Sequence, residues 1–212
     1  MTVAFLLDVD NTLLDNDAAK REIDARILRS FGERVRATFW DMYQRTRSER
    51  GVIDYPAALA RLHAVMPEVP DELDAIVWEL PYDRFVYPAS LSVIAAMRGI
   101  GRPIVVSDGD TVYQPLKIAR AGIGGAVGGR VLIFTHKEEH LPEIREAYPA
   151  ERYVMVDDKA TILARVKGEW GDLVVTVHVR QGHYADDRPP RPPDVCVASI
   201  ADLPAALPSL AR

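Results

Sequence analysis

Five short runs rich in valine and isoleucine, each bounded by turn or acidic residues, recur at 3–9, 103–107, 131–135, 153–156 and 173–179, with a weaker sixth at 195–198. Runs this short and this branched predict buried strands, because β-branched side chains pack well on a pleated surface and the runs are too brief for buried helices. Helical patterns at 112–121, 138–147 and 159–168 fall between several of them. Alternation of this kind, with strands apolar on both faces, predicts an α/β fold: a doubly wound, Rossmann-like parallel sheet covered on both sides.

One interval breaks the rhythm. Residues 10–102 separate the first two runs, whereas a crossover between parallel strands needs only about a dozen residues. Helix-like apolar spacing occurs there at 18–31, 33–50, 55–65 and 71–80, punctuated by Gly32, Gly51 and the 67–70 segment. The expectation is an all-helical cap, residues 16–87, inserted into a core made of 1–15 and 88–212. The proline-dense stretch 188–193 predicts an extended connector, and 201–207 a short closing helix.

Composition narrows the function classes. At 212 residues and 48% apolar the chain can bury a substantial core. Its 26 basic residues against 31 acidic ones give a net charge of -5 without a basic block, which argues against a nucleic-acid partner. Cys196 stands alone, so disulfide frameworks and multi-thiolate zinc sites are excluded and a metal would be held mainly by oxygen. The apolar run 3–7 is too short for a membrane span or signal-peptide core and lacks a basic leader. A cytoplasmic protein without membrane contact, monomeric or homodimeric, is expected.

The first apolar run leads straight into Asp8-Val9-Asp10-Asn11-Thr12, and the fourth into Asp157-Asp158. In a parallel sheet, ligands bind beyond the carboxyl ends of the strands. Paired acids there repel each other unless a proton or divalent cation shares the site, and magnesium prefers such hard oxygen ligands. Either pair could instead cap the next helix. The second run ends in Ser107-Asp108-Gly109-Asp110, which offers a hydroxyl, a glycine and backbone amides for a phosphoryl oxygen, although Ser-Asp-Gly is also an ordinary turn. Lys137 follows the third run, where an ammonium would offset carboxylates and a phosphate dianion. A lone lysine after a strand is more often solvated.

Taken in order, these elements resemble the haloacid dehalogenase-like (HAD) hydrolase superfamily over residues 1–15 and about 88–185. Asp8 to Thr12 is similar to its motif I, Ser107 to motif II, Lys137 to motif III, without the proline that often follows, and Asp157-Asp158 to motif IV. The resemblance implies a magnesium-dependent phosphomonoesterase acting on a small soluble metabolite. Asp8 would be the nucleophile, forming an aspartyl-phosphate, and Asp10 the acid-base partner. Ser107, Asp108, Gly109 and Lys137 would orient the phosphoryl group. Mg2+ would sit between the Asp8 side chain, the Asp10 carbonyl and Asp158, with Asp157 direct or through water. Family members that cleave carbon-halogen bonds carry an aromatic residue at the Asp10 position, because halide leaves without a proton. Members that cleave phosphonates lack that aspartate too and add a cap lysine, whereas Lys20 is the only lysine between 16 and 87. A phosphomutase, a dehalogenase-type hydrolase of the same fold, or a binding protein that has lost turnover are the alternatives. Arg45, Arg47 and Arg50 could supply a cation for a second anionic group, Trp40 and Tyr43 read as cap core, and the scattered histidines as polar surface or satisfied interior residues.

Overall fold

β1 (Val3–Leu7) lies at the centre of a sheet whose spatial order is β3-β2-β1-β4-β5-β6. The remaining strands in the computed structural model, which describes residues 2–189 and 191–210, are β2 (Arg102–Asp108), β3 (Val131–Phe134), β4 (Arg152–Asp157), β5 (Val174–Val179) and β6 (Val195–Val197). Every pairing among them is parallel. Consecutive β1 residues point to opposite faces. Phe5 and Leu7 enter one buried cluster, and Ala4 and Leu6 another. This is why the run is apolar throughout rather than alternating.

Nine α-helices occur among the described residues. Those that clothe the sheet are α4 (Ser90–Arg98), α5 (Tyr113–Arg120), α6 (Ile123–Ala126), α7 (Leu141–Ala147), α8 (Ala160–Trp170) and α9 (Leu203–Leu210). Leu141, Ile144, Leu163 and Val166 cover one face, while Val93, Ile94, Met97, Leu203 and Leu207 cover the other. The layers are those of a doubly wound α/β fold. α4 was not anticipated from the sequence, and the connector at 188–193 includes Pro190, which lies outside the described residues.

Between β1 and β2 the chain is helical: α1 (Asn16–Arg50), α2 (Tyr55–Val65) and α3 (Glu72–Trp78). Asp15 accepts the Ala18 N–H at 2.7 Å to start α1, and Gly51, at φ 75°, ends it by donating its N–H to Arg47. Gly32 interrupts α1 with φ 80° and ψ 175°, a conformation that L side chains rarely adopt. The chain reverses there. Residues on either side then meet, Trp40 Nε1 donating to Asp24 at 2.7 Å and Arg36 reaching the same carboxylate at 3.0 Å. The insert leaves and re-enters through adjacent backbone: Leu14 bridges Val86, Asp15 N–H donates to Phe85 O and Tyr87 N–H to Leu13 O. Among the described residues no helix is long and apolar enough to cross a membrane.

Candidate active site

The strand order reverses beside β1, with β2 and β3 on one flank and β4 to β6 on the other. Crossover helices depart to opposite faces at such a reversal, leaving a crevice outside the carboxyl ends of the strands. Leu7 pairs with Val156, and the Asp8 N–H donates to Val156 O at 3.0 Å, so the acids that follow β1 and end β4 arrive side by side. Asp8, Asp157 and Asp158, all buried, each place one carboxylate oxygen within 4.8 Å of the others.

Lys137 enters the same cluster and is wholly buried. Its Nζ lies 2.5 Å from Asp8 Oδ1 and 2.7 Å from Asp157 Oδ2, and donates to Val106 O at 3.3 Å. A solvated lysine would have been the ordinary outcome after β3. Instead His136, at φ 60°, turns the chain inward, and Asp108 Oδ1 accepts the Lys137 N–H at 2.7 Å. Burial alone would lower the lysine's pKa, but Asp157, Asp8 and Asp108 outweigh it and hold the ammonium charged well above its ordinary range.

Lys137, even with the added influence of Lys159, does not balance three carboxylates. Burial raises the Asp8 pKa to about 6 despite the pull of Lys137, with Asp157 adding to the rise. Asp158 is pushed further, to about 9, by burial and then by Asp157 and Asp8. Asp157 has its contacts, Oδ1 accepting the Lys159 N–H at 2.8 Å and Oδ2 facing Lys137. Both Asp158 side-chain oxygens are buried without a partner, while its carbonyl accepts from His178 Nε2 at 2.9 Å. Orphaned buried oxygens in an all-carboxylate donor set suit a hard divalent cation.

Asp10 is not part of that trio. Its carboxylate forms an ion pair with Lys117 and accepts from Gln114 Nε2 at 3.4 Å, while the same amide donates to Ser107 Oγ at 2.9 Å. Lys117 is buried and also donates to Asn16 Oδ1 at 3.2 Å. Neither Gln114 nor Lys117 was singled out from the sequence. They lie one helical turn apart on α5, and only the packing of that helix against β3 and the Tyr82–Phe85 turn brings this face toward Asp10. Ser107 is buried beside them. The Gly109 N–H is already donated to Phe134 O, and Asp110 accepts the Val112 and Tyr113 N–H groups at the start of α5. A side chain at Gly109 would strike Gln114, its Cβ coming within 2.7 Å.

A cavity of about 270 Å³ opens above Asp10 between the sheet and the insert, lined among others by Lys20, Arg47, Tyr55, Tyr113, Lys117 and Lys159. Arg45 pairs with Asp41, and Arg50 with Asp54, so of the three arginines only Arg47 lines it. Tyr43 is buried, and the partly buried Trp40 packs edge-on against it. His183 binds Asp17 and Asn11, and His140 binds Glu143.

Comparison with known proteins accords with this geometry. The family model for haloacid dehalogenase-like hydrolases matches residues 5–163. A haloacid dehalogenase-like hydrolase structure from Burkholderia xenovorans LB400 is 41% identical, with a TM-score of 0.89 over 99% of this chain and 98% of that one. The L-2-haloacid dehalogenase of Xanthobacter autotrophicus, 17% identical, aligns at TM-score 0.65 over 99% and 100% of the two chains. The magnesium-bound HAD-hydrolase YfnB of Bacillus subtilis, 15% identical, aligns at 0.65 over 97% and 98%. These last two likenesses concern the fold. No curated protein sequence matches. With the family model spanning most of the chain and a relative of 41% identity aligned over nearly all of it, the chain belongs to the haloacid dehalogenase-like hydrolases.

Proposed function

We propose that the enzyme is a magnesium-dependent phosphomonoesterase, with residues 16–87 as a cap over the crevice. The observation that carries this reading is the Asp10 carboxylate. It stands two residues beyond Asp8, outside the acidic trio, and lines the cavity where a leaving group would lie. Displacing an alkoxide requires a proton at its oxygen, whereas displacing a halide does not.

In this reading an Asp8 oxygen attacks phosphorus, the ester P–O bond breaks, and Asp10 relays a proton to the departing alkoxide oxygen. Water then attacks the aspartyl-phosphate, with Asp10 accepting its proton, and inorganic phosphate leaves. Lys137 keeps Asp8 charged and oriented and faces the negative charge of the phosphoryl group. Ser107 supplies a hydroxyl, while Asp108 fixes the loop that delivers Lys137. A magnesium ion held by Asp8, Asp158, Asp157 and the Asp10 backbone would neutralise charge on the phosphoryl oxygens.

The same Asp8 and Lys137 would serve a halide-displacing hydrolase, and solved dehalogenases share the fold. Paired assays separate the two. The expected result is magnesium-dependent phosphate release from a chromogenic ester, with no halide released from 2-haloacids. Metal-independent halide release would overturn the proposal, and so would magnesium binding without turnover across a phosphate panel.

The cation site makes its own prediction. Asp158 is the least compensated acid, so Asp158→Asn should raise the unfolding free energy of the metal-free protein at neutral pH by about 2 kcal/mol, because a carboxyl whose pKa is raised to about 9 must take up a proton on folding and the carboxamide need not. Magnesium should increase the melting temperature of the parent protein far more than that of the variant. Calorimetry with and without the ion checks both. An equal magnesium shift in the two proteins would remove Asp158 from the site.

A further inference from the structure

Lys20 and Arg47 both line the 270 Å³ cavity, and both also line a smaller one of about 60 Å³ that reaches Asp158 and Lys159. Twenty-seven positions apart on one continuous straight helix, they would be separated by about 40 Å. The reversal at Gly32 brings them to the same space.

Of the acids nearby, all but Asp158, placed above in the cation site, are already engaged. Asp10 pairs with Lys117, Asp17 with His183 and Glu138 with Arg165, while Asp110 accepts two backbone amides. Among the described residues neither Lys20 nor Arg47 has a carboxylate within ion-pair distance. Lys20 Nζ lies over the Tyr43 ring, 5.7 Å from its centroid. Burial pulls the Lys20 pKa down; Asp10 and Asp17 offset part of this, and Lys117 and Arg47 add to the fall. A cation kept half-buried under the influence of two other cations, its nearby carboxylates beyond ion-pair contact and bound to other partners, is a costly arrangement that an anionic ligand would relieve.

We propose that the substrate carries a second anionic group, separated by a short spacer from the phosphate ester, and that Lys20 and Arg47 bind it. This rests on the phosphomonoesterase reading for the position of the ester and adds the substrate class. The cavity volume limits the spacer to a few atoms. A terminal carboxylate or a terminal phosphate would present the same charge to this pair.

The test uses three alkyl monophosphates of equal length ending in hydroxyl, carboxylate or phosphate. Binding is measured to Asp8→Asn protein, which cannot turn them over, and kcat/KM to the active enzyme. The charged esters should be preferred over the hydroxyl ester by about tenfold or more. That preference should fall toward unity in Lys20→Gln and in Arg47→Gln, but persist in Arg45→Gln, whose arginine is held by Asp41 outside the cavity. The better of the two charged termini identifies the group. Equal binding of all three esters, or a preference unchanged in both cavity variants, overturns the inference. Preferential binding of the charged esters without turnover of any would support the inference while defeating the phosphatase reading.

Discussion

Asp8→Asn is expected to lower phosphate-ester turnover by about 10⁴-fold or more, because a carboxamide of the same shape cannot attack phosphorus. The effect belongs to chemistry and not to folding. Asp8 sits in a cluster with more negative charge than Lys137 can balance, so neutralising it should leave the metal-free protein at least as stable as its parent. Acid-quenched reactions provide the direct readout. Covalently bound phosphate should be recovered from the parent enzyme and be absent from the variant, while thermal unfolding stays cooperative. Residual turnover near the parent rate would assign the nucleophile elsewhere.

Lys137→Met is expected to combine loss of turnover with a loss of about 3–5 kcal/mol in stability, the usual consequence of removing one partner from a buried ion pair. Lys137 is wholly buried between Asp8 and Asp157, and its removal leaves those carboxylates facing one another with only the weaker influence of Lys159 to offset them. Chemical denaturation of the metal-free protein measures the loss. The added substitution Asp157→Asn should recover a large part of it, since it removes one of the two stranded charges. A lysine that merely filled space would show no such recovery. The pair of variants therefore distinguishes an electrostatic keystone from a packing element.

These two effects differ in how readily they were legible. Asp8 announces itself: an acid directly after an apolar strand, with a second two residues on. Lys137 is one lysine among several, and its burial depends on the turn at His136 and on Asp108 receiving its backbone amide. The convergence of Asp8 with Asp157-Asp158 was conditional on β1 and β4 being neighbours, a condition that strand pairing meets at Leu7 and Val156. Lys117 and Gln114 carried no distinguishing signal, because a helix sequence shows which residues share a face but not what that face meets. Gly109 offered an amide to a ligand only until the sheet register committed it to Phe134. α4 went unread although Val93, Ile94 and Met97 form its apolar face.

The strand runs, the helical insert and the break at Gly32 were settled by local chemistry: β-branched apolar clusters, helical spacing, and a residue without a Cβ where φ turns positive. The family resemblance followed from acids at fixed places along that pattern. What the chain alone did not determine is which charges meet. Electrostatic interactions reach only a few ångströms with useful strength, and the residues concerned lie as far apart as Asp8 and Lys137 or Lys20 and Arg47. Strand order decided the first meeting and the reversal of α1 the second, leaving three buried carboxylates around the Lys137 ammonium on one side of the crevice and, on the other, Lys20 and Arg47 without an ion-pair partner among the described residues.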